Sequence, residues 1–175
     1  RCIKCGDCVK VCPTKALSLG SDRISVNRRS CDSCGVCAQK CPSEALSIAG
    51  KTATVEDVVR EAEKDTVFYE ESGGGVTLSG GEPLLQPDFL KALLDEFRKR
   101  EIQTALDTNG YTSYEILDGI RRKVDLFLYD IKMIDNTEHR KYTGVSNKLV
   151  LRNLKRLAEN GSNLVISLPI ITNIN

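Results

Sequence analysis

The stretch Cys2-Ile3-Lys4-Cys5-Gly6-Asp7-Cys8-Val9-Lys10-Val11-Cys12-Pro13 returns as Cys31-Asp32-Ser33-Cys34-Gly35-Val36-Cys37-Ala38-Gln39-Lys40-Cys41-Pro42, offset by 29 residues. Every cysteine repeats in register, and Thr14-Lys15-Ala16-Leu17 is echoed by Ser43-Glu44-Ala45-Leu46. These eight cysteines are all that the chain has, and none follows Cys41. A disulfide framework suits a short secreted chain. Here a cysteine-rich start runs into a cysteine-free remainder with an α/β pattern, which favours metal.

The spacing C-x2-C-x2-C-x3-C-P, twice, is that of bacterial-type ferredoxins. Three cysteines at this spacing wrap one cubane cluster, and the fourth, before proline, ligates the other. Thiolates are soft, anionic ligands that suit iron. The crossed rule predicts one [4Fe–4S] cluster on Cys2, Cys5, Cys8 and Cys41, and a second on Cys31, Cys34, Cys37 and Cys12. Gly6 and Gly35 let the backbone turn close to sulfur. Structural zinc is the alternative, often built from paired C-x2-C knuckles. It leaves the third cysteine, the x3 step and the proline unexplained in both halves. Between the halves, Leu19 to Val26 holds a weak strand pattern, and residues 1–50 carry eight basic residues against four acidic ones.

Further along, Thr54 to Lys64 reads as a helix with Thr54 as N-cap and Val55, Val58, Val59 and Ala62 at helical spacing. Gly73-Gly74-Gly75 breaks the pattern, and Val76 to Ser79 is a strand. Helices are predicted at Asp88–Arg100, Tyr114–Arg121, Asn136–Tyr142 and Lys148–Glu159, and strands at Ile102–Leu106, Val124–Ile131 and Leu164–Leu168. Strand and helix thus alternate four times from residue 76, which implies a parallel sheet covered by helices. Ligand sites in such sheets lie at the carboxyl ends of the strands. Polar residues gather there at 79–83, 107–110 and 130–132.

Composition excludes some classes. The chain has 175 residues, with 25 lysines and arginines against 24 acidic residues, so its balance of charge supports neither nucleic acid nor a membrane surface as partner. Aromatic residues make up 5% and tryptophan is absent, which argues against a base-stacking surface. No apolar run approaches the ~18 residues of a membrane span, and no secretory signal is visible. The only methionine is Met133, and the chain opens Arg1-Cys2 and closes at Asn163 to Asn175, which reads as a strand entering a loop, so a fragment of a longer protein is expected.

Ser79-Gly80-Gly81-Glu82-Pro83 joins a strand to a helix. Its glycines allow a ligand near the backbone, and Glu82 can accept hydrogen bonds from an amine; Gly-Gly and Pro are also ordinary turn residues. Asp107-Thr108-Asn109-Gly110 reads equally as an Asx turn, and Asp130 with Lys132 as a solvated ion pair. His139, the only histidine, reads as an exposed helix residue.

Taken in order, the iron–sulfur repeats, Ser79-Gly80-Gly81-Glu82-Pro83, Leu106-Asp107-Thr108-Asn109-Gly110, Tyr129-Asp130-Ile131-Lys132 and His139 to Asn147 resemble the glycyl-radical enzyme activating enzymes. These are radical S-adenosylmethionine (SAM) proteins similar to pyruvate formate-lyase activating enzyme, and the repeat matches the subgroup with a two-cluster ferredoxin-like insert. The resemblance implies an α/β fold: a small bacterial-type 2[4Fe-4S] ferredoxin-like domain over residues 1–50, then a partial radical-SAM (β/α) barrel over residues 51–175. It implies that Gly80, Gly81, Glu82 and Pro83 hold the amino group of SAM. Asp107 and Thr108 would lie beside its carboxylate, around a cation, and Asp130 and Lys132 would contact SAM and the substrate loop.

The reaction implied is one-electron cleavage of SAM to methionine and a 5′-deoxyadenosyl radical, which takes a hydrogen atom from a glycine Cα of the partner enzyme. The partners implied are a glycyl-radical enzyme and a low-potential electron donor such as flavodoxin or ferredoxin, in an anaerobic cytoplasm. The family's C-x3-C-x2-C motif, which leaves one iron open for SAM, is absent here, and two four-cysteine clusters consume all eight thiols. This polypeptide is therefore expected not to start the radical reaction alone. Leu168 to Asn173 also departs from the Pro-Gly loop expected there. The alternatives are a non-enzymatic two-cluster electron-transfer module fused to an α/β domain, and a zinc-dependent interaction module.

Overall fold

The structure is a computed structural model that describes residues 1–172 and residue 174. The chain divides into two compact units, Arg1–Thr52 and Ala53–Asn175. Each is described by itself.

In the first unit, two one-turn helices, α1 (Asp7–Lys10) and α2 (Val36–Gln39), follow Gly6 and Gly35. Those glycines have φ of 78° and 79°, a left-handed conformation open to glycine without a Cβ penalty. The repeat extends to less tolerant positions. Lys4 and Ser33 share φ of 59°, and Lys15 and Glu44 have φ of 52° and 50°. Backbone strain at matched non-glycine sites shows that the cysteine loops take one shape twice. Where the sequence offered only a weak strand, β1 (Leu17–Leu19) and β2 (Ile24–Val26) pair as an antiparallel hairpin. The buried apolar residues of this unit are few: Cys8, Ala16 and Leu17.

The second unit opens with α3 (Val55–Ala62), whose Thr54 N-cap forms a reciprocal capping box with Asp57. A 3-10 turn (Glu63–Asp65) leads into α4 (Thr66–Ser72), a helix that the sequence pattern did not signal because Val67 and Phe68 point outward. Next come β3 (Gly75–Leu78), a 3-10 turn (Pro83–Leu85), α5 (Pro87–Lys99), β4 (Gln103–Thr108), α6 (Tyr114–Ile120) and β5 (Leu126–Asp130). The described chain ends with α7 (Asn136–Thr143), α8 (Lys148–Glu159) and β6 (Leu164–Ser167).

All four strands are parallel and lie in chain order, β3-β4-β5-β6. That is the sheet predicted from the alternation of strands and helices. Period-two alternation sends Leu106, Phe127 and Tyr129 to one face, where they pack with Leu94 and Phe97 of α5, Leu117 of α6 and Leu157 of α8. Ala105, Asp107, Leu128 and Asp130 fall on the other face and stay half-buried. Of the departure read at Leu168 to Asn173, residues up to Thr172 are irregular, and Asn173 lies outside the described residues. No helix among the described residues is long and apolar enough to cross a membrane.

Candidate functional site

The sequence singled out two groups of residues, and the structure assembles each within its own unit. In the first unit the thiols sort into two cavities. Cys2, Cys5, Cys8 and Cys41 line one of about 150 Å³. Cys12, Cys31, Cys34 and Cys37 line another of about 120 Å³. In each case three cysteines come from one half of the repeat and the fourth from the other.

The cysteines before proline are equipped as anions in both halves. The Ala16 N–H lies 3.3 Å from Cys12 Sγ, and the Ala45 N–H 3.2 Å from Cys41 Sγ. Thr14 and Ser43 bring their hydroxyls within 3.7 Å of the same two sulfurs. The Thr14 hydroxyl, with neighbouring N–H groups, holds the Cys12 thiol below its usual range. The Leu46 N–H and the Ser43 hydroxyl do the same for Cys41. Cys8 and Cys34 shift the other way: burial pushes the Cys8 thiol up, and at Cys34 the lowering by the Val36 N–H is outweighed by the Asp32 side chain and burial, so its thiol is raised too.

The shape of the cavities tests which metal group fits. Among the described residues no three Cys, His, Asp or Glu side chains close on one ion. A tetrahedral zinc site would bring sulfurs to about 3.8 Å of one another, given Zn–S of about 2.3 Å. Four thiols around a wider cavity fit a cubane, whose ligands sit at separate corners.

In the second unit the residues after β3, β4 and β5 come together at the carboxyl end of the sheet. The Glu82 carboxylate is held from three sides. It accepts the Thr108 hydroxyl at 2.6 Å, the Asn109 N–H at 3.1 Å and the Leu84 N–H at 3.2 Å. Thr108 is buried, and its hydroxyl oxygen also accepts the Gly110 N–H at 3.0 Å. Its hydroxyl hydrogen is therefore committed to Glu82, so Thr108 acts chiefly by orienting that carboxylate. Ser79 donates to Asp107 at 2.9 Å, a second tie between the ends of β3 and β4. Gly80 has φ of 127°, and a Cβ on Gly80 or Gly81 would meet nothing within 4 Å. The turn therefore faces open space beside a fixed carboxylate. Pro83 opens the 3-10 turn that follows. At the end of β5, Asp130 and Lys132 form an ion pair, with the Lys132 side chain about half exposed.

The support under this site was missed by sequence reading. Gly110 has φ of 64°, and a Cβ there would lie 1.8 Å from the Tyr129 hydroxyl oxygen, so the Asn109-Gly110 turn closes only over glycine. Tyr129 donates to the Val150 carbonyl at 2.8 Å; burial, and then the nearby Glu82 charge, push its hydroxyl above the ordinary range, which keeps it a donor. Asn153, wholly buried on α8, donates to the carbonyls of Gly110 at 2.9 Å and Thr112 at 2.8 Å. Asn147 donates to the carbonyls of Met133 at 3.1 Å and Ile134 at 2.7 Å, pinning the loop after Lys132. Buried asparagines leave no periodic signal.

His139 corrects the sequence reading. It is 5% exposed rather than exposed, with Nδ1 2.8 Å from the Val145 carbonyl and 3.0 Å from the Thr143 hydroxyl. A ring wedged inside the loop after α7 is a structural pin. The misreading arose because the residues around it on α7 are nearly all polar, while one partner, Thr143, sits in the last turn and the other, Val145, beyond the helix end.

Comparison with known proteins agrees with this geometry. Residues 28–175 match the radical SAM superfamily, and residues 1–45 match the 4Fe-4S dicluster domain. The trans-4-hydroxy-L-proline dehydratase activating enzyme of Clostridioides difficile is 46% identical over 176 residues, covering 100% of this chain and 58% of that protein. The choline trimethylamine-lyase activating enzyme of Oleidesulfovibrio alaskensis is 41% identical over 177 residues, covering 99% of this chain and 57% of that protein. A solved domain of a pyruvate-formate lyase-activating enzyme from Bacteroides vulgatus superposes with a TM-score of 0.55 at 39% identity, covering 58% of this chain and 63% of that one. The chain thus spans somewhat more than half the length of the curated relatives it matches. With an iron–sulfur segment ahead of a partial parallel (β/α) sheet, and relatives named as activating enzymes, the chain belongs to the radical SAM superfamily.

Proposed function

We propose that this chain is the part of a glycyl-radical enzyme activating enzyme that carries two auxiliary [4Fe–4S] clusters and one side of the SAM site. The observation that carries the SAM reading is the open Gly80-Gly81 turn beside a Glu82 carboxylate held by Thr108 and Asn109. SAM presents an ammonium and a carboxylate. Glu82 accepts from the ammonium, to which its fixed orientation presents the remaining lone pair of Oε2. Gly80 and Gly81 let the ligand approach the backbone, and Pro83 directs the chain away. Asp107 and Asp130 are the acidic groups at the neighbouring strand ends, and Lys132 supplies the cation for the carboxylate of SAM or for the loop of the protein substrate.

In the first unit, Cys2, Cys5, Cys8 and Cys41 hold one cluster and Cys12, Cys31, Cys34 and Cys37 the other, a reading supported by the two thiol-lined cavities. These sites use all eight cysteines, so the cluster that binds SAM takes its thiolates from outside these 175 residues. That cluster, when bound, would supply the single electron for cleaving SAM, the chemistry by which a hydrogen would be taken from a glycine Cα of a partner enzyme. The relatives are named as activating enzymes of a dehydratase and a lyase, and the partner in this reading is a glycyl-radical enzyme of that kind. A flavodoxin or ferredoxin in an anaerobic cytoplasm completes the proposal as electron source.

The test is SAM binding by calorimetry to the anaerobically reconstituted chain. Glu82→Gln is expected to weaken SAM by at least tenfold at unchanged iron content. Equal affinity in the two proteins would sink the assignment of Glu82. A purely electron-transferring module is the second reading, favoured by the complete use of the cysteines. Absence of any SAM binding, with about eight irons per chain from two four-iron clusters, would select it.

A further inference from the structure

The 29-residue repeat makes each half of Arg1–Thr52 an internal control for the other. Most paired positions carry the same chemistry, as the matched Thr14 and Ser43 hydroxyls and Ala16 and Ala45 N–H groups show. The pairs that break the match are charged. Ile3-Lys4 in the first half stands where Asp32-Ser33 stands in the second.

These differences fall on the walls of the two cavities. The charged residues lining the cavity of Cys2, Cys5, Cys8 and Cys41 are Lys4 and Arg23. Lys4 is fixed there by donating to the Ser21 carbonyl. The charged residues lining the cavity of Cys12, Cys31, Cys34 and Cys37 are Arg28 and Asp32. One wall thus carries two cations, the other a cation and an anion. Each half also has an aspartate against its middle cysteine, but their situations differ. Asp7, beside Cys5, is neutralised by Lys10 at 2.9 Å. Asp32 accepts the Cys34 N–H at 3.2 Å and has no ion pair among the described residues. Lys15 and Glu44 would act in the opposite sense, but neither lines a cavity. Cys8 is buried where Cys37 is half-buried, which also opposes the trend.

We propose that the two four-thiol sites are electrostatically unequal, so that the cluster of Cys2, Cys5, Cys8 and Cys41 takes up an electron before that of Cys12, Cys31, Cys34 and Cys37. The proposal rests on the two-cluster reading above. Reduction adds one negative charge to an already anionic cluster, and net charge and hydrogen bonding around the sulfurs set its potential. Lys4 and Arg23 stabilise the reduced form of the first cluster, while Asp32 disfavours that of the second. The internal step is a one-electron exchange. The second cluster is oxidised as the first is reduced, no covalent bond changes, and the electron enters from an external one-electron reductant. Within this unit the electron therefore runs towards the cavity walled by Lys4 and Arg23.

The test is a redox titration of the reconstituted chain with dithionite, followed by EPR, with iron counted on the same samples. The wild-type protein is expected to titrate in two steps separated by at least a tenfold equilibrium preference, about 59 mV for one electron. Asp32→Asn keeps the acceptor for the Cys34 N–H and removes the charge. It should raise the lower step alone and narrow the gap. Lys4→Gln and Arg23→Gln should lower the upper step alone. Raising the salt should narrow the gap in the unmutated protein, because these charges are solvent-facing. Eight irons with coincident steps, or with Asp32→Asn moving the upper step or neither, would overturn the proposal and leave the two-cluster reading standing. About four irons per chain would overturn both.

Discussion

The two units of this chain are held together by different means. Residues 1–52 bury little apolar surface, and their buried hydrophobic residues are Cys8, Ala16 and Leu17. Their loops also store strain, since Lys4, Lys15, Ser33 and Glu44 all sit at positive φ, where non-glycine residues lose about 1–2 kcal/mol each. The second unit wraps a continuous core around one face of a parallel sheet, from Val59 on α3 to Leu157 on α8. A domain of about 50 residues seldom folds on burial alone and often relies on metals. On the proposed two-cluster reading, the cysteines of the first unit serve its folding as well as its redox chemistry, while the second unit has a continuous apolar core of its own.

Metal removal probes that contrast with the largest expected effect. Anaerobic chelation of iron should unfold residues 1–52 entirely, because binding free energy in small metal domains is folding free energy. Limited proteolysis should then cut the first unit and leave Ala53 onward resistant. A chelated protein still protected between Cys2 and Cys41 would break the comparison. The reciprocal experiment is Phe97→Ala. Phe97 is wholly buried at the centre of the second core, and the truncation should cost about 3–5 kcal/mol in denaturant unfolding with no change in iron content.

What the sequence disclosed followed the same divide. The first unit was legible in its spacings: Cys41 lies with Cys2, Cys5 and Cys8 around one cavity and Cys12 with Cys31, Cys34 and Cys37 around another, the grouping that the repeat suggested. The sheet was legible from alternation: β3, β4, β5 and β6 lie within about two residues of their predicted bounds. The missed features depend on partners distant in sequence. No local pattern shows that Tyr129 meets the Gly110 turn, that Asn153 reaches Gly110 and Thr112, or that Thr108 spends its hydroxyl on Glu82. His139 was misread for the same reason, and α4 was missed because a short helix with outward Val67 and Phe68 lacks an amphipathic stripe.

Gly110→Ala tests whether the Glu82 site rests on the second core. The added methyl would collide with the Tyr129 hydroxyl, which is buried and bonded to Val150, at a backbone angle unfavourable for alanine. A destabilisation of about 2 kcal/mol or more is expected. SAM affinity should fall with it, because Asn109, one residue earlier, is a donor to Glu82. A stable Gly110→Ala protein with normal SAM binding would show that the turn can move independently of the sheet.

The smallest expected change in stability belongs to Lys132→Gln. The Lys132 side chain is about half exposed and its partner Asp130 less so, and an ion pair of this kind contributes about 0–1 kcal/mol. Removing the charge should leave the unfolding midpoint nearly unchanged. A residue whose role is to meet an anionic ligand should nevertheless show its loss in binding. SAM affinity, or the affinity for a peptide copying the substrate loop, is expected to drop at least fivefold, about 1 kcal/mol. Because Lys132 lies beyond the end of β5 and outside the core, stability and binding are separable at this position as they are not at Gly110. If Lys132→Gln lowered the midpoint by several degrees and left both affinities intact, the pair would be part of the scaffold, and the boundary drawn here between core and site would have to move outward to include it.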